Sequence, residues 1–197
     1  MMIKYKHLDE FLKYDGSQID PFWAFKFLKI KGSSIITWIG PMNIASDNIK
    51  DFEDIDLEIK SANMTHFILE FFDIQPPNIE IAYMRQRLLV MIFKEELHKQ
   101  NIISTRSGDD IFVSGRKLTV SIASISPTSM KIHFGFNLED NGTPEDVETI
   151  GLFDIENSNG KKVFNNENIV DFISTVVNSY IDELSSIKED IGKTNFL

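Results

Sequence analysis

The sequence predicts an α+β fold, a mixed, largely antiparallel sheet covered by helices. Hairpin patterns stand beside helical ones instead of alternating as strand–helix units. Two long stretches carry apolar residues at three- and four-residue steps, the mark of helices that bury one face. A hydrophobic fraction of 42%, with sixteen Phe and two Trp, supplies the bulk to fill the space between sheet and helices. With 197 residues and neither an internal repeat nor an interdomain linker, one domain spanning 1–197 is expected.

Taken in order, Met1 to Leu8 reads as a strand. Asp20 followed by Pro21 predicts a short helix to about Leu28, because an aspartate accepts a free amide and proline suits the first turn. Gly32 breaks it, Ser34 to Ile39 is rich in β-formers, and Gly40-Pro41 should end that strand. The acidic segment Asp51 to Glu58 leads to an alternating strand, Met64 to Phe72. Pro76-Pro77-Asn78 then precedes a helix from Ile79 to Lys99, with Ile81, Arg85, Leu88 and Ile92 on its apolar stripe. Arg85 in that stripe demands a partner, either a structural carboxylate such as Asp54 or Glu70 or a ligand carboxylate.

The stretch Thr105 to Leu138 carries most of the chemical signal. Ile111 to Val113 is a short strand, Ser114-Gly115 a two-residue turn, Lys117 to Ile125 an alternating strand, and Ser126 to Ser129 a second turn. Three adjacent antiparallel strands are expected, bringing Asp109, Asp110, Arg116, Lys117 and His133 to one edge or face. Beyond them, 139–148 forms an acidic loop with the composition of a lid, and Gly151 to Ile155 returns to the sheet. After Asn165-Asn166, Ile169, Ile173, Val176, Tyr180, Leu184 and Ile187 recur at helical spacing until Gly192. This is a sheet-covering helix, with coiled-coil pairing as the alternative.

Composition excludes several classes. A formal charge of −10 opposes nonspecific attraction to nucleic acid, so no nucleic-acid partner is expected. No apolar run approaches the roughly 18 residues of a spanning helix, so no membrane partner is expected. The start lacks the apolar core of a signal peptide, and a cytoplasmic location follows as an expectation. Without cysteine there is no disulfide, no thiolate metal site and no cysteinyl acyl-enzyme. The zinc HExxH, dinucleotide GxGxxG and nucleophile GxSxG patterns are all absent, and Gly192-Lys193-Thr194 ends a helix, since Ile187 stands where a phosphate loop needs glycine.

The remaining chemistry sits on few residues. Lys117, opening a strand, places a compact positive charge against a carboxylate or phosphate, or else is a solvated hairpin charge. Arg116 and Arg106 are further candidates for an anionic ligand. Asp109 and Asp110 supply oxygen ligands for Mg²⁺ bound with a nucleotide, or form a solvated turn. His133 binds a ligand oxygen or moves a proton, or is a hydrogen-bonded structural residue, and His66 reads as structural. Trp23 and Trp38 read as core or pocket wall.

The run Gly108 to Ala123, with its acidic pair, Ser-Gly turn, Arg-Lys and following strand, resembles the segment of biotin- and lipoate-protein ligases in which an Asn-Asp pair opens a strand and a Lys-bearing turn follows. Asp109 departs from that pattern, and the Gly-Arg-Gly-Arg adenylate loop of the biotin ligases is missing. Nearly the whole chain resembles the uncharacterised prokaryotic family of domain of unknown function 366, through Phe22 to Phe25, Gly40-Pro41, Met64 to Ile68, Met84 to Leu88 and Ser126-Pro127. That resemblance implies a biotin/lipoate ligase-like fold, shared with class II aminoacyl-tRNA synthetases. The ligase segment implies that Lys117 contacts an acyl substrate, with Mg²⁺ and ATP as the cofactors such chemistry would use.

Two functions are expected from these features. One is a small-molecule site for an anionic or carboxylate-bearing ligand, serving acyl activation or transfer, in which Lys117, Arg106, Arg116 and His133 bind ligand. The other is a non-enzymatic binding or assembly protein on the same scaffold, since a fold does not carry its chemistry with it. A homo-oligomer is the expected assembly.

Overall fold

The computed structural model describes residues 2–52, 55 and 57–195. Its main sheet has five strands: β1 (Lys4–His7), β2 (Ser34–Asn43), β3 (Lys60–Phe71), β7 (Thr119–Ile125) and β8 (Met130–Asn137), in the order β1-β2-β3-β8-β7. Only β1 and β2 run parallel, so the sheet is mixed and largely antiparallel, as the sequence predicts. A smaller sheet is made of β4 (Thr105–Ser107), β5 (Asp110–Val113) and β6 (Arg116–Lys117). The helices are α1 (Trp23–Leu28), α2 (Ile79–Lys99) and α3 (Ile169–Lys193).

Side chains alternate across β3 and β8, and this alternation divides the apolar residues into two layers. Phe67, Leu69, Phe71, Ile132, Phe134 and Phe136 face α2 and α3, where Phe93 and Phe172 interleave with them. The opposite face carries Ile36, Trp38, Met42, Met64 and Ile68 under a lid of Leu8, Tyr14 and Ala24. α2 begins where predicted, because the Asn78 side chain accepts the Ile81 N–H at 3.1 Å and satisfies an otherwise free helix amide.

Several expectations are corrected. Lys117 to Ile125 is not one strand of a three-strand set. The chain changes sheets at Leu118, whose buried side chain enters the core while its N–H bonds Ile111 O and its C=O accepts from Asn137 N–H. β2 does not stop at Gly40-Pro41; it continues through a bulge to Asn43, the place in a strand where a residue without an N–H is tolerated. α1 starts at Trp23, and Asp20 gives no side-chain cap; the Phe22 N–H is taken instead by Glu70 Oε1 at 2.9 Å. Residues 151–155 form a single 3-10 turn, Leu152–Asp154, because the sheet-like pairing is made just upstream, between Thr149 and Lys117.

The first strand is Lys4–His7, and the Met1 of the predicted strand lies outside the described residues. The helix α3 runs one residue past Gly192, and Ile187 of its predicted stripe is 41% exposed. Arg85 has its partner in Asp73, by two parallel bonds of 2.8 Å, and not in Glu70. Asp54, the other partner considered, lies outside the described residues. Glu70 instead faces Lys131 across the β3–β8 ladder at 3.3 Å, with both side chains buried.

Candidate functional site

The open side of the main sheet holds a cleft of about 440 Å³. Its floor is Tyr14, Met42, Ile122, His133 and Asn137; the small sheet contributes Asp109, Asp110 and Lys117 as one wall. The rim comes from two loops, one running through Asn48 and Lys60, the other through Thr143 and Val147.

The Ser114-Gly115 turn gives both of its residues positive φ, 52° and 79°, and closes β5 onto β6 with Val113 opposite Arg116 and Phe112 opposite Lys117. This two-residue geometry matches the strand twist. Asp110 lies two residues from Phe112 and so shares its face, which makes Asp110 and Lys117 diagonal neighbours; Lys117 Nζ is 2.9 Å from Asp110 Oδ2, each side chain about a third exposed. The backbone of Lys117 is clamped from the other side, its N–H bonding Glu148 O at 2.8 Å and its C=O accepting from Ile150 N–H at 3.0 Å. The loop 139–148 is therefore tied to the lysine strand where it ends. Near its start, Gly142 at φ 70° packs against Ala62 so closely that a Cβ would lie 3.0 Å from the alanine Cβ.

Asp109 is anchored from α2. Gln86, fully buried, donates through Nε2 to Asp109 Oδ2 and to Ser121 Oγ, both at 2.9 Å, and Arg87 Nη1 lies 2.5 Å from Asp109 Oδ1. Ser121 Oγ passes the connection to His133 O at 2.8 Å. Burial raises the Asp109 carboxyl above its ordinary value; Arg87 pulls the other way, and Asp110 adds to the rise.

His66 and His133 lie diagonally on β3 and β8, buried, with His66 Nδ1 3.2 Å from His133 Nε2 and His66 Nε2 3.2 Å from Gly40 O. Tyr14 stacks on His133 with ring centres 3.9 Å apart and planes 10° from parallel, and Trp38 stacks on His66 at 5.0 Å. Burial lowers His66 to about 3, and burial together with His66 lowers His133 well below 6.5. Both rings are neutral near pH 7.

The structure thus brings Lys117, Asp109, Asp110 and His133 to one cleft and leaves out Arg106 and Arg116. Arg106 stands on the exposed outer strand β4 and donates to Gly108 O. Alternation along β6 turns Arg116 to the face opposite Lys117. As for Mg²⁺, Asp109 is bonded to Arg87 and Gln86 and Asp110 to Lys117, and the described residues contain no group of three His, Asp or Glu placed to hold a metal ion. As they stand, the two carboxylates fit anchors of the small sheet and not a metal site. Sequence reading missed Tyr14, Asn137, Gln86 and Arg87. Tyr14 lies in irregular chain with no pattern to flag it, and a buried Gln on a helix face has no sequence signature distinguishing it from an exposed one.

This architecture recurs among solved proteins. Biotin protein ligase from Aquifex aeolicus in complex with biotin and ATP aligns over 91% of this chain and 71% of its own, with a TM-score of 0.55 and 11% identity. The bi-partite lipoate protein ligase of Thermoplasma acidophilum aligns over 92% and 85%, with a TM-score of 0.53 and 8% identity. At these identities the likeness is one of fold, and it defines an α+β protein of biotin/lipoate ligase-like architecture. A protein of unknown function from Pyrococcus horikoshi aligns over the whole of both chains with a TM-score of 0.88 and 32% identity. An uncharacterised protein of Methanocaldococcus jannaschii is 36% identical over 189 residues, 93% of this chain and 80% of the relative. The family model "Domain of unknown function (DUF366)" matches residues 3–195, and the chain belongs to that family.

Proposed function

We propose that the cleft binds a small carboxylate-bearing molecule, its anionic end neutralised by Lys117, for acyl activation or transfer. The observation that carries this reading is the placement of Lys117 on the wall of the cleft whose floor holds His133. A lysine ammonium is a compact charge suited to one carboxylate, and Asp110 at 2.9 Å holds it in place before ligand arrives. The lining carries Lys50, Lys60 and Lys117 against Asp51, Glu58, Asp109, Asp110 and Asp146, so an anion suits only the lysine positions and a polyanion is repelled elsewhere. The ligase-like fold, one example of which holds biotin and ATP, supports the same class of ligand.

Calorimetric titration of biotin, lipoate, octanoate, amino acids and ATP tests the proposal. At least one carboxylate is expected to bind the wild-type protein and to lose tenfold or more affinity in Lys117→Ala, since a charge-assisted contact is worth about 1.5–3 kcal/mol. Silence from every acid at millimolar concentration overturns it.

The exposed Phe11 (66%) and Phe27 (55%) favour a second reading, in which the scaffold serves self-association. Light scattering across a dilution series decides between them: a stable dimer supports assembly, and a strict monomer with saturable acid binding removes it.

A further inference from the structure

We infer that the ligand's end remote from Lys117 carries an N–H or O–H group, which donates a hydrogen bond to Nδ1 of His133. This deepens the carboxylate reading of the cleft and rests on it.

Gly40 fixes where the imidazole protons sit. Its carbonyl oxygen can only accept, so the His66 Nε2 that lies 3.2 Å away carries the proton. A neutral imidazole has one N–H, which leaves a lone pair on His66 Nδ1. That atom is 3.2 Å from His133 Nε2, so His133 Nε2 carries the proton of the second ring and donates it. The polarity of the chain runs one way, from His133 through His66 to the Gly40 carbonyl, and it ends with a bare lone pair on His133 Nδ1.

Among the described residues that lone pair has no partner, and the ring face is occupied by Tyr14. His133 nonetheless lines the cleft, so its edge is available to a bound molecule. A ligand N–H or O–H that covers this lone pair replaces the hydrogen bond water can make there, whereas an alkyl end leaves the acceptor without a donor. Burial keeps the ring neutral near pH 7, so its Nδ1 accepts and does not donate. Tyr14 OH, at the same floor, likewise has no protein partner among the described residues.

The two ends of the ligand are separate. The Asn137 N–H bonds Leu118 O, next to Lys117, and His133 lies four residues back along β8, so the backbone positions Asn137 and His133 are roughly 13 Å apart at strand rise. A carboxylate at Lys117 and a donor group at His133 therefore belong to different parts of one molecule. This selects a hydroxylated or amide-bearing acid over a plain fatty acid.

Two measurements test this. Long-range ¹H–¹⁵N correlation of the wild-type protein reads the tautomers without any ligand: the proton is expected on Nε2 of both His66 and His133, and a His133 protonated on Nδ1 overturns the inference. Calorimetry then compares straight-chain acids of six to twelve carbons with their ω-hydroxy counterparts, pairs that differ only in the donor. At the length that spans the cleft, the hydroxy acid is expected to bind about five- to tenfold more tightly. His133→Phe, which keeps a ring under Tyr14, is expected to abolish that preference.

Equal binding within every pair, or a preference that survives His133→Phe, overturns this inference and leaves the Lys117 site standing. Failure of all acids to bind overturns the Lys117 reading and this one with it. If His133→Phe does not fold, the wild-type tautomers and the wild-type paired titrations still decide.

Discussion

Lys117 Nζ lies 2.9 Å from Asp110 Oδ2 on the wall of the cleft, so a ligand carboxylate that approaches the lysine meets an anion already seated there. The pair holds the ammonium in place, and on the proposed reading it also competes with the ligand. Asp110→Asn should therefore tighten carboxylate binding by up to about fivefold, the scale of a partly exposed ion pair, while Lys117→Ala weakens it tenfold or more. Lys117→Arg separates charge from shape: a confined site rejects the planar group, an open one keeps most of the affinity. Titration of all three variants measures this, and weaker binding in Asp110→Asn would show that the aspartate positions the lysine more than it competes.

The buried histidine pair predicts acid sensitivity between pH 6.5 and about 3. Both groups sit below their ordinary value of 6.5 because burial disfavours the charged ring, so below 6.5 the unfolded chain takes up protons that the folded chain refuses. Stability is complete above 6.5 and declines as pH falls, by at most about 1.4 kcal/mol per pH unit for each histidine. His7, lowered by partial burial, adds to the same slope. Urea unfolding from pH 7.5 to 4 should show the decline, shallower in His133→Phe; a level profile over that range would contradict the assignment of two neutral rings.

A second acid transition comes from Asp73. Burial raises its carboxyl, but the two Arg85 bonds and Lys188 at 3.3 Å outweigh burial and hold it below 3.8. Its contribution is intact above 3.8 and is lost as pH falls through the lowered value. Asp73→Asn leaves the Arg85 guanidinium, stacked 4.5 Å above Phe71, without its counter-charge, and should cost about 2–3 kcal/mol at pH 7. The variant should also lose stability less steeply below pH 3.8 than the wild type, read by denaturant unfolding at pH 7, 3.5 and 2.5.

Gly40 is required by a close crossing of chains. A Cβ there would lie 1.8 Å from Leu12 O, the same oxygen that accepts the Trp38 Nε1–H at 2.9 Å. Gly40→Ala must push the segment bearing Tyr14 off the sheet, with an expected loss of about 3–4 kcal/mol. Tryptophan emission should shift to the red as Trp38 loses its cover, and an unchanged spectrum at unchanged stability would refute the crossing.

Local pattern carried much of this fold. The helix Ile79–Lys99 and the Ser114-Gly115 hairpin were legible because helical periodicity and turn chemistry act between residues a few positions apart. The need of Arg85 for a partner was equally legible, since an unpaired guanidinium in an apolar stripe is costly; its partner was not, because Asp73 lies in a short loop with no periodic signal. The grouping of Lys117 with Asp110 followed from one hairpin. Arg106 and Arg116 were grouped with them by nearness in sequence, but strand alternation and an outer strand take them elsewhere.

By itself the sequence determined most of the segments, the apolar faces they must bury, and the placement of Lys117 on the strand that follows the Ser114-Gly115 turn. Tertiary structure alone decided that the chain changes sheets at Leu118, that Tyr14 covers His133, and that His66 meets His133 across 67 positions to run its hydrogen bonds toward Gly40. The physical reason is register: a slip of one residue between β3 and β8 would turn the whole histidine face into the helix layer, and only the packing of both faces at once excludes that slip.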